Sequence, residues 1–91
     1  MFYIISYDII DDKRRAKVSK ILENYCTRVQ YSVFETLLEV DKYEEMISEL
    51  NKIIDKTEDS IRIYKLCDAC SKKVTIYGIG EVLKDKEMYI I

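Results

Sequence analysis

The chain has 91 residues, which fits one domain and leaves no room for a second hydrophobic core. Hydrophobic residues make up 48% of it and eight residues are tyrosine, which argues against a disordered chain, while the absence of histidine excludes Ser-His-Asp and Cys-His catalysis. The formal net charge of −2 lacks the strongly basic balance of a general nucleic-acid coat protein.

The first quarter of the sequence predicts a strand followed by a helix. Residues 2–7 (FYIISY) are rich in β-forming residues and predict a buried strand, with Asp8 at its C-terminal end. Asp11 or Asp12 then suits a helix N-cap, because a short carboxylate accepts from the free N–H groups of the first turn. The helix is predicted from one apolar stripe at the spacing i, i+3, i+4, i+7, formed by Val18, Ile21, Leu22 and Tyr25.

The middle of the chain predicts two more strands and a second helix. Residues 28–40 (RVQYSVFETLLEV) predict two short strands, or one sharply bent strand, with a break between Tyr31 and Thr36. Asp41 is the predicted cap of the second helix, with Glu44 completing a capping box. The core stripe of that helix comprises Tyr43, Met46, Ile47, Leu50, Ile53 and Ile54. Residues 60–66 (SIRIYKL) predict a further strand.

This order, β-α-β-β-α-β, predicts an α+β ferredoxin-like domain with two helices on one face of an antiparallel sheet. Beyond it, residues 73–77 predict a fifth short strand, Gly78 and Gly80 a turn, and residues 88–91 an apolar end. We expect a single domain with a core at about residues 1–78 and a dimer-stabilising segment at 79–91, because an extra strand is most simply accommodated on the sheet edge of a neighbouring subunit.

Asp8 is the first candidate site residue, because it stands where a rigid strand meets a loop and a carboxylate there suits Mg²⁺. The alternative is an ordinary turn residue, and for Asp11 and Asp12 capping is the stronger interpretation. Residues 11–30 carry six basic against three acidic side chains, whereas residues 39–59 carry eight acidic side chains against three lysines. Arg14 and Arg15 open the first helix against its dipole, which indicates either a phosphate-binding role or a solvated face balanced by the neighbouring aspartates.

Cys67 and Cys70 form a C-x-x-C, and with Cys26 they bring the cysteine count to an odd number. This argues against a disulfide framework and predicts a reducing, cytoplasmic environment, with no signal-peptide or membrane-spanning pattern. A Cys₄ zinc site would need both subunits of a dimer. A thioredoxin-like motif is disfavoured because the pair follows the fourth strand rather than opening a helix after a first one. Buried structural thiols are therefore the favoured interpretation.

Taken together, these blocks resemble the signature of the CRISPR-associated protein 2 family. The resemblance rests on Tyr7-Asp8-Ile9, on Asp12-Lys13-Arg14-Arg15, and most strongly on residues 28–35 (RVQYSVFE). It extends over nearly the whole chain, including the Leu66-Cys67-x-x-Cys70 after the fourth strand.

The resemblance implies a ferredoxin-like homodimer whose C-terminal strand packs on the partner's sheet. It carries the metal-site aspartate of the family onto Asp8, which would share one Mg²⁺ or Mn²⁺ with its mate across the dimer axis. It also implies metal-dependent endonuclease activity on single-stranded RNA or double-stranded DNA, with Arg14, Arg15 and Arg28 holding phosphates.

Three functions remain open from the sequence. The first is the CRISPR-associated, Mg²⁺-dependent endonuclease of spacer acquisition and antiviral defence. The second is a non-catalytic DNA-binding scaffold that bridges the integrase subunits, CRISPR-associated protein 1. The third, without the family, is a small regulatory module that binds a metabolite.

Overall fold

A computed structural model describes residues 1–78, and its four strands form one antiparallel sheet in the order β2-β3-β1-β4. The predicted turn at Gly80 and the apolar end at residues 88–91 lie outside the described residues. The elements are β1 (Phe2–Asp8), α1 (Asp12–Tyr25), β2 (Thr27–Gln30), β3 (Val33–Leu37), α2 (Val40–Ile53), β4 (Ser60–Leu66) and α3 (Asp68–Ser71). This is the predicted ferredoxin-like order, and the predicted α+β class is confirmed.

Strand β1 is central because it pairs with both β3 and β4. Ile5 lies opposite Phe34 of β3 and Ile63 of β4, and Asp8 lies opposite Ser60 of β4. Successive side chains of a strand point to opposite faces. Tyr3, Ile5 and Tyr7 belong to the buried core, so Asp8 lies on the opposite face of the sheet from the helices.

Helix α1 begins directly after Asp11, one of the two residues predicted to cap it. Asp11 is the N-cap, and its carboxylate accepts from the backbone N–H of Arg14 at 2.9 Å. Of the predicted stripe, Val18 and Leu22 are fully buried and the other two members pack against the core. Both predictions for this helix are confirmed, because cap and periodicity are local properties of the sequence.

Residues 28–40 form two strands, with the break at Tyr31 and Ser32, inside the predicted interval. The Tyr7 N–H donates to the Ser32 carbonyl at 3.1 Å, which fixes the turn beside the end of β1. Thr36, at the far limit of that interval, is instead a buried strand residue whose hydroxyl donates to the Tyr25 carbonyl at 2.6 Å.

Helix α2 starts earlier than predicted. Its N-cap is Glu39, whose carbonyl accepts from the Tyr43 N–H at 3.0 Å, and no side chain caps the helix. The prediction that Asp41 is the N-cap is therefore wrong, because Asp41 already lies in the first helical turn, where its charge still favours the helix dipole. The predicted stripe is confirmed, with Met46 and Leu50 buried.

The core lies between the two long helices and one face of the sheet. Its buried members are Tyr3, Ile5, Tyr7, Ile9, Val18, Leu22, Phe34, Met46 and Leu50. No helix among residues 1–78 has the length and apolar character that a membrane crossing requires.

After β4 the chain departs from the predicted pattern. It turns into the short helix α3, and the Lys73 N–H donates to the Cys70 carbonyl at 3.0 Å. Residues 73–77 make no strand pairing within residues 1–78, and the fifth strand, whose expected partner is the sheet edge of a neighbouring subunit, stays a prediction. A strand forms only where a neighbouring strand supplies the hydrogen-bond ladder. Gly78 has φ +97°, a left-handed conformation that suits the predicted turn.

Candidate metal and nucleic-acid site

Asp8 is the last residue of β1 and is exposed. The fold gathers three other segments at this end of the sheet: the loop leading into α1, the start of β4 at Ser60, and the β2–β3 turn at Ser32. The predicted position of Asp8, at the junction of a strand and a loop, is confirmed. The carboxylate stands on a rigid central strand and reaches solvent on the face away from the helices.

The Asp8 carboxylate has the properties of a Mg²⁺ ligand. It accepts no hydrogen bond and forms no ion pair with any residue of the described chain, so its oxygens are available. Carboxylate oxygens are hard ligands, and Mg²⁺ commonly takes only one or two of them and keeps several waters. No group of three or more Asp, Glu, Cys or His residues comes together within residues 1–78. Within residues 1–78, Asp8 therefore stands as a single unengaged carboxylate outside any such group.

Asp11 and Asp12, the other carboxylates of this loop, already have partners. Asp11 caps α1 through the Arg14 N–H, and Asp12 forms an ion pair with Arg15. The structure thus separates three nearby aspartates that the sequence presents as similar: two stabilise the start of α1, and Asp8 is the one without an internal partner among residues 1–78.

Arg15 holds the loop that follows Asp8. Its Nη1 donates to the carbonyls of Ile9 and Ile10, each at 3.1 Å, and its Nη2 pairs with Asp12. Ile9 is buried in the core whereas Ile10 is exposed. The guanidinium therefore fixes the backbone next to Asp8, while 44% of its side chain remains exposed to solvent.

Arg14 points to a different partner, one that the sequence did not indicate. Its Nε donates to Asp59 Oδ2 at 2.9 Å, and its Nη2 donates to Glu58 at 2.7 Å. The Asp59 side chain is completely buried and also accepts from the Asp55 N–H at 2.8 Å. Arg14 lowers the pKa of Asp59 by donating to its carboxylate, and the Asp55 N–H lowers it further. Two of the three guanidinium nitrogens of Arg14 are thus committed to the fold.

Arg28 lies away from Asp8. It pairs in register with Phe34 of β3, its guanidinium carbon lies 5.1 Å from the centre of the Phe34 ring, and its Nη2 donates to Glu23 of α1 at 3.0 Å. Phe34 belongs to the core, so Arg28 lies on the helix side of edge strand β2 while Asp8 lies on the other side of the sheet. The structure brings Arg14 and Arg15 near the end of β1 but does not bring Arg28 there.

Comparison with known proteins identifies the family. The family model described as CRISPR associated protein Cas2 matches residues 1–74. The chain belongs to the Cas2 family.

Among its Cas2 relatives is a protein of Chloroflexus aurantiacus named CRISPR-associated endoribonuclease Cas2 3, with 46% identity over 100% of this chain and 98% of the relative. A Thermus thermophilus relative, 33% identical over 98% of this chain and 94% of its own length, is named CRISPR-associated endonuclease Cas2 2. These names support the predicted function at the level of a CRISPR-associated endonuclease and displace the metabolite-binding module.

Solved structures agree with the family. A chain of the solved "Partial Cas6-RT-Cas1--Cas2 complex" superposes with a TM-score of 0.72 and 35% identity, and the match covers 82% of this chain and 88% of that one. In that complex Cas2 and Cas1 belong to one assembly, which supports the predicted integrase partnership.

Proposed function

We propose that this chain is a metal-dependent endonuclease that works as a homodimer, with Asp8 as its metal ligand and Mg²⁺ or Mn²⁺ as its cofactor. The observation that carries the proposal is the unengaged Asp8 carboxylate on a rigid central strand, beside two aspartates that are committed to α1. The metal would supply an activated water for hydrolysis of a phosphodiester, chemistry that needs no histidine.

A second copy completes the proposed site. One chain offers one free carboxylate at this position, and a two-fold axis passing near Asp8 would bring two of them together, because a symmetric interface presents the same surface from both subunits. Two facing carboxylates repel each other, and a divalent cation relieves that repulsion. The sheet face that carries Asp8 is opposite the helices and is free for such a contact in the single chain.

The three arginines contribute unequally to binding nucleic acid, which is either single-stranded RNA or double-stranded DNA. Arg15 and Arg28 keep 44% and 43% of their side chains exposed, so each can reach a phosphate without leaving its internal partners. Arg14 is 25% exposed and holds Asp59, so we assign it a smaller share of phosphate binding and a larger share of stability.

The decisive experiment compares Asp8→Asn with the wild type and with Asp41→Asn, which changes an exposed aspartate in the first turn of α2. Labelled single-stranded RNA and double-stranded DNA are each incubated with the proteins with and without Mg²⁺. We expect Asp8→Asn to abolish Mg²⁺-dependent cleavage while its melting temperature and DNA binding stay at wild-type values. Cleavage that persists in Asp8→Asn and still needs Mg²⁺ would refute Asp8 as the ligand and direct attention to Asp11 and Asp12.

The second candidate function is a scaffold that binds DNA and bridges integrase subunits without hydrolysis. The similarity to a chain of a solved complex that contains both Cas1 and Cas2 favours it. If neither the wild type nor Asp8→Asn cleaves and both bind DNA equally, the scaffold is the correct function, since phosphate binding by arginines does not require Asp8.

A further inference from the structure

The C-x-x-C after β4 lies on the surface, which contradicts the prediction that Cys67 and Cys70 are buried structural thiols. Both are free and exposed, whereas Cys26 is half-buried. The reason is topological. Edge strand β4 ends at Leu66, and the chain beyond that residue has left the sheet and the core beneath it.

The two thiols lie together in one helical turn. Cys67 is the N-cap of α3, so the pair does open a helix, contrary to the sequence-based expectation. The Cys70 N–H donates to Cys67 Sγ at 3.4 Å, and the Ser71 N–H donates to the Cys67 carbonyl at 2.9 Å. The Cys67 sulfur thus lies against the first turn of α3 at the backbone of Cys70, and the two thiols are close enough to form a hydrogen bond.

The surroundings make the two thiols chemically unequal. Two contacts stabilise a negative charge on the Cys67 sulfur and lower its pKa. The larger effect comes from the Cys70 N–H and the smaller one from the Cys70 thiol. The hydrogen bond between the two thiols raises the pKa of Cys70, because the Cys70 thiol is the donor and the Cys67 sulfur the acceptor. Since the thiolate is the nucleophile, Cys67 is the attacking group and Cys70 the second one to react.

We propose that Cys67 and Cys70 form a thiol–disulfide exchange site that reacts with low-molecular-weight disulfides such as oxidised glutathione. The Cys67 thiolate attacks one sulfur of the disulfide, forming a mixed disulfide and releasing one thiol. Cys70 then loses its proton to solvent and attacks Cys67 Sγ, which forms the Cys67–Cys70 bond and releases the second thiol. Two protein thiols are oxidised and one small disulfide is reduced to two thiols, so atoms and electrons balance.

Cys26 supplies an internal contrast. Its Sγ lies 3.7 Å from the Met46 sulfur, and burial raises the pKa of its thiol to about 11. A thiol whose pKa is raised in this way holds much less thiolate at neutral pH than an ordinary thiol does. The same chain therefore carries one pair arranged for exchange and one thiol arranged for packing.

The test uses the full-length chain, reduced and then freed of reductant, with oxidised glutathione as the probe and intact-mass and peptide mass spectrometry as the readout. We expect the wild type to lose two hydrogens at Cys67 and Cys70 and to retain no glutathione adduct. Cys70→Ser should trap one glutathione on Cys67. Cys67→Ser should be modified at Cys70 at least about tenfold more slowly. Cys26→Ser should behave as the wild type does.

A second measurement needs no variant. In the wild-type protein, alkylation at pH 7 should modify Cys67 at least about tenfold faster than Cys26. Stable glutathione on both Cys67 and Cys70 without an internal disulfide would overturn the proposal. Stoichiometric zinc in protein purified without added metal would also overturn it, because it would assign the pair to a metal site that spans two subunits.

Discussion

Arg14 Nε donates to Asp59 Oδ2 at 2.9 Å, and this contact joins the first turn of α1 to the residue that precedes β4. Asp59 is followed by Ser60, which lies opposite Asp8 in the sheet. The ion pair therefore fixes the two segments that border the candidate metal ligand. The sequence suggests Arg14 for phosphate binding, but in the folded chain Arg14 mainly connects helix α1 to the segment that leads into strand β4.

Removing this bond should destabilise the fold. Arg14→Ala leaves the buried Asp59 carboxylate without its cationic partner, and we expect the melting temperature to fall by about 5 °C or more. Arg14→Lys should recover part of the loss, because a lysine keeps the charge but not the two-pronged geometry. Lys13→Ala, at the exposed neighbouring position, is the control and should change the melting temperature little. Equal effects of Arg14→Ala and Lys13→Ala in thermal unfolding would contradict this role.

The same pair sets part of the acid stability. Arg14 holds the pKa of Asp59 below its ordinary value, so the stabilisation is present above the unfolded-state pKa of about 4 and is lost as pH falls through the lower, folded-state value. Urea unfolding of the wild type should therefore show stability declining below about pH 4. In Arg14→Ala that decline should be smaller. If the stability of the two proteins depended on pH in the same way, Arg14 would not be what lowers the pKa of Asp59.

Glu35 should have the opposite pH dependence. Its Oε1 is buried without a hydrogen-bond partner among the described residues, and burial raises the pKa of the carboxyl. The folded state then binds the proton more tightly than the unfolded state, so stability is lost as pH rises from about 4 through the folded-state pKa. We expect Glu35→Gln to raise the melting temperature at pH 7 and to leave it unchanged at pH 3.5. A lower melting temperature at pH 7 would indicate that a second chain supplies the carboxylate with a partner.

Thr36 should contribute through its hydroxyl rather than its size. Thr36→Val keeps the shape but removes the hydrogen bond to the Tyr25 carbonyl, and we expect the free energy of unfolding to fall by about 1–2 kcal/mol. Thr27→Val, at an exposed position of β2, is the matched control and should stay within about 0.5 kcal/mol of the wild type. Denaturant unfolding measures both, and equal values for the two variants would contradict the assignment.

The salt dependence of nucleic-acid affinity should show which arginines contact phosphates. If Arg15 and Arg28 each contact a phosphate, replacing both with glutamine should reduce the slope of log affinity against log salt by about 2 for each subunit of the dimer that faces the nucleic acid. Lys42→Gln, on the acidic helix α2, should leave the slope unchanged. An unaltered slope in the double variant would remove both arginines from the interface.

The proposed dimer should depend on the segment after Gly80. Light scattering at micromolar concentration should give a dimer for the full chain and a weaker dimer, or a monomer, for a chain ending at Gly80. A monomeric full chain would contradict the shared metal site, because Asp8 would then have no mate.

The sequence by itself determined the features that depend on neighbouring residues. The cap at Asp11, the two helical stripes and the bounds of β4 follow from local residue preferences and periodicity, and the run of β-forming residues 2–7 placed Asp8 at a strand end. Asp41 failed as a cap because the start of α2 depends on how the chain leaves β3, which periodicity does not fix.

Only the tertiary structure decided which charged groups meet. Asp59 lies 45 residues from Arg14 in the sequence, and the sheet order brings them together because β4 lies beside β1. The same order makes β4 an edge strand and leaves Cys67 and Cys70 beyond the core, and it puts Arg28 and Asp8 on opposite faces of the sheet. Contacts between distant segments follow from packing, which the local pattern of residues does not encode.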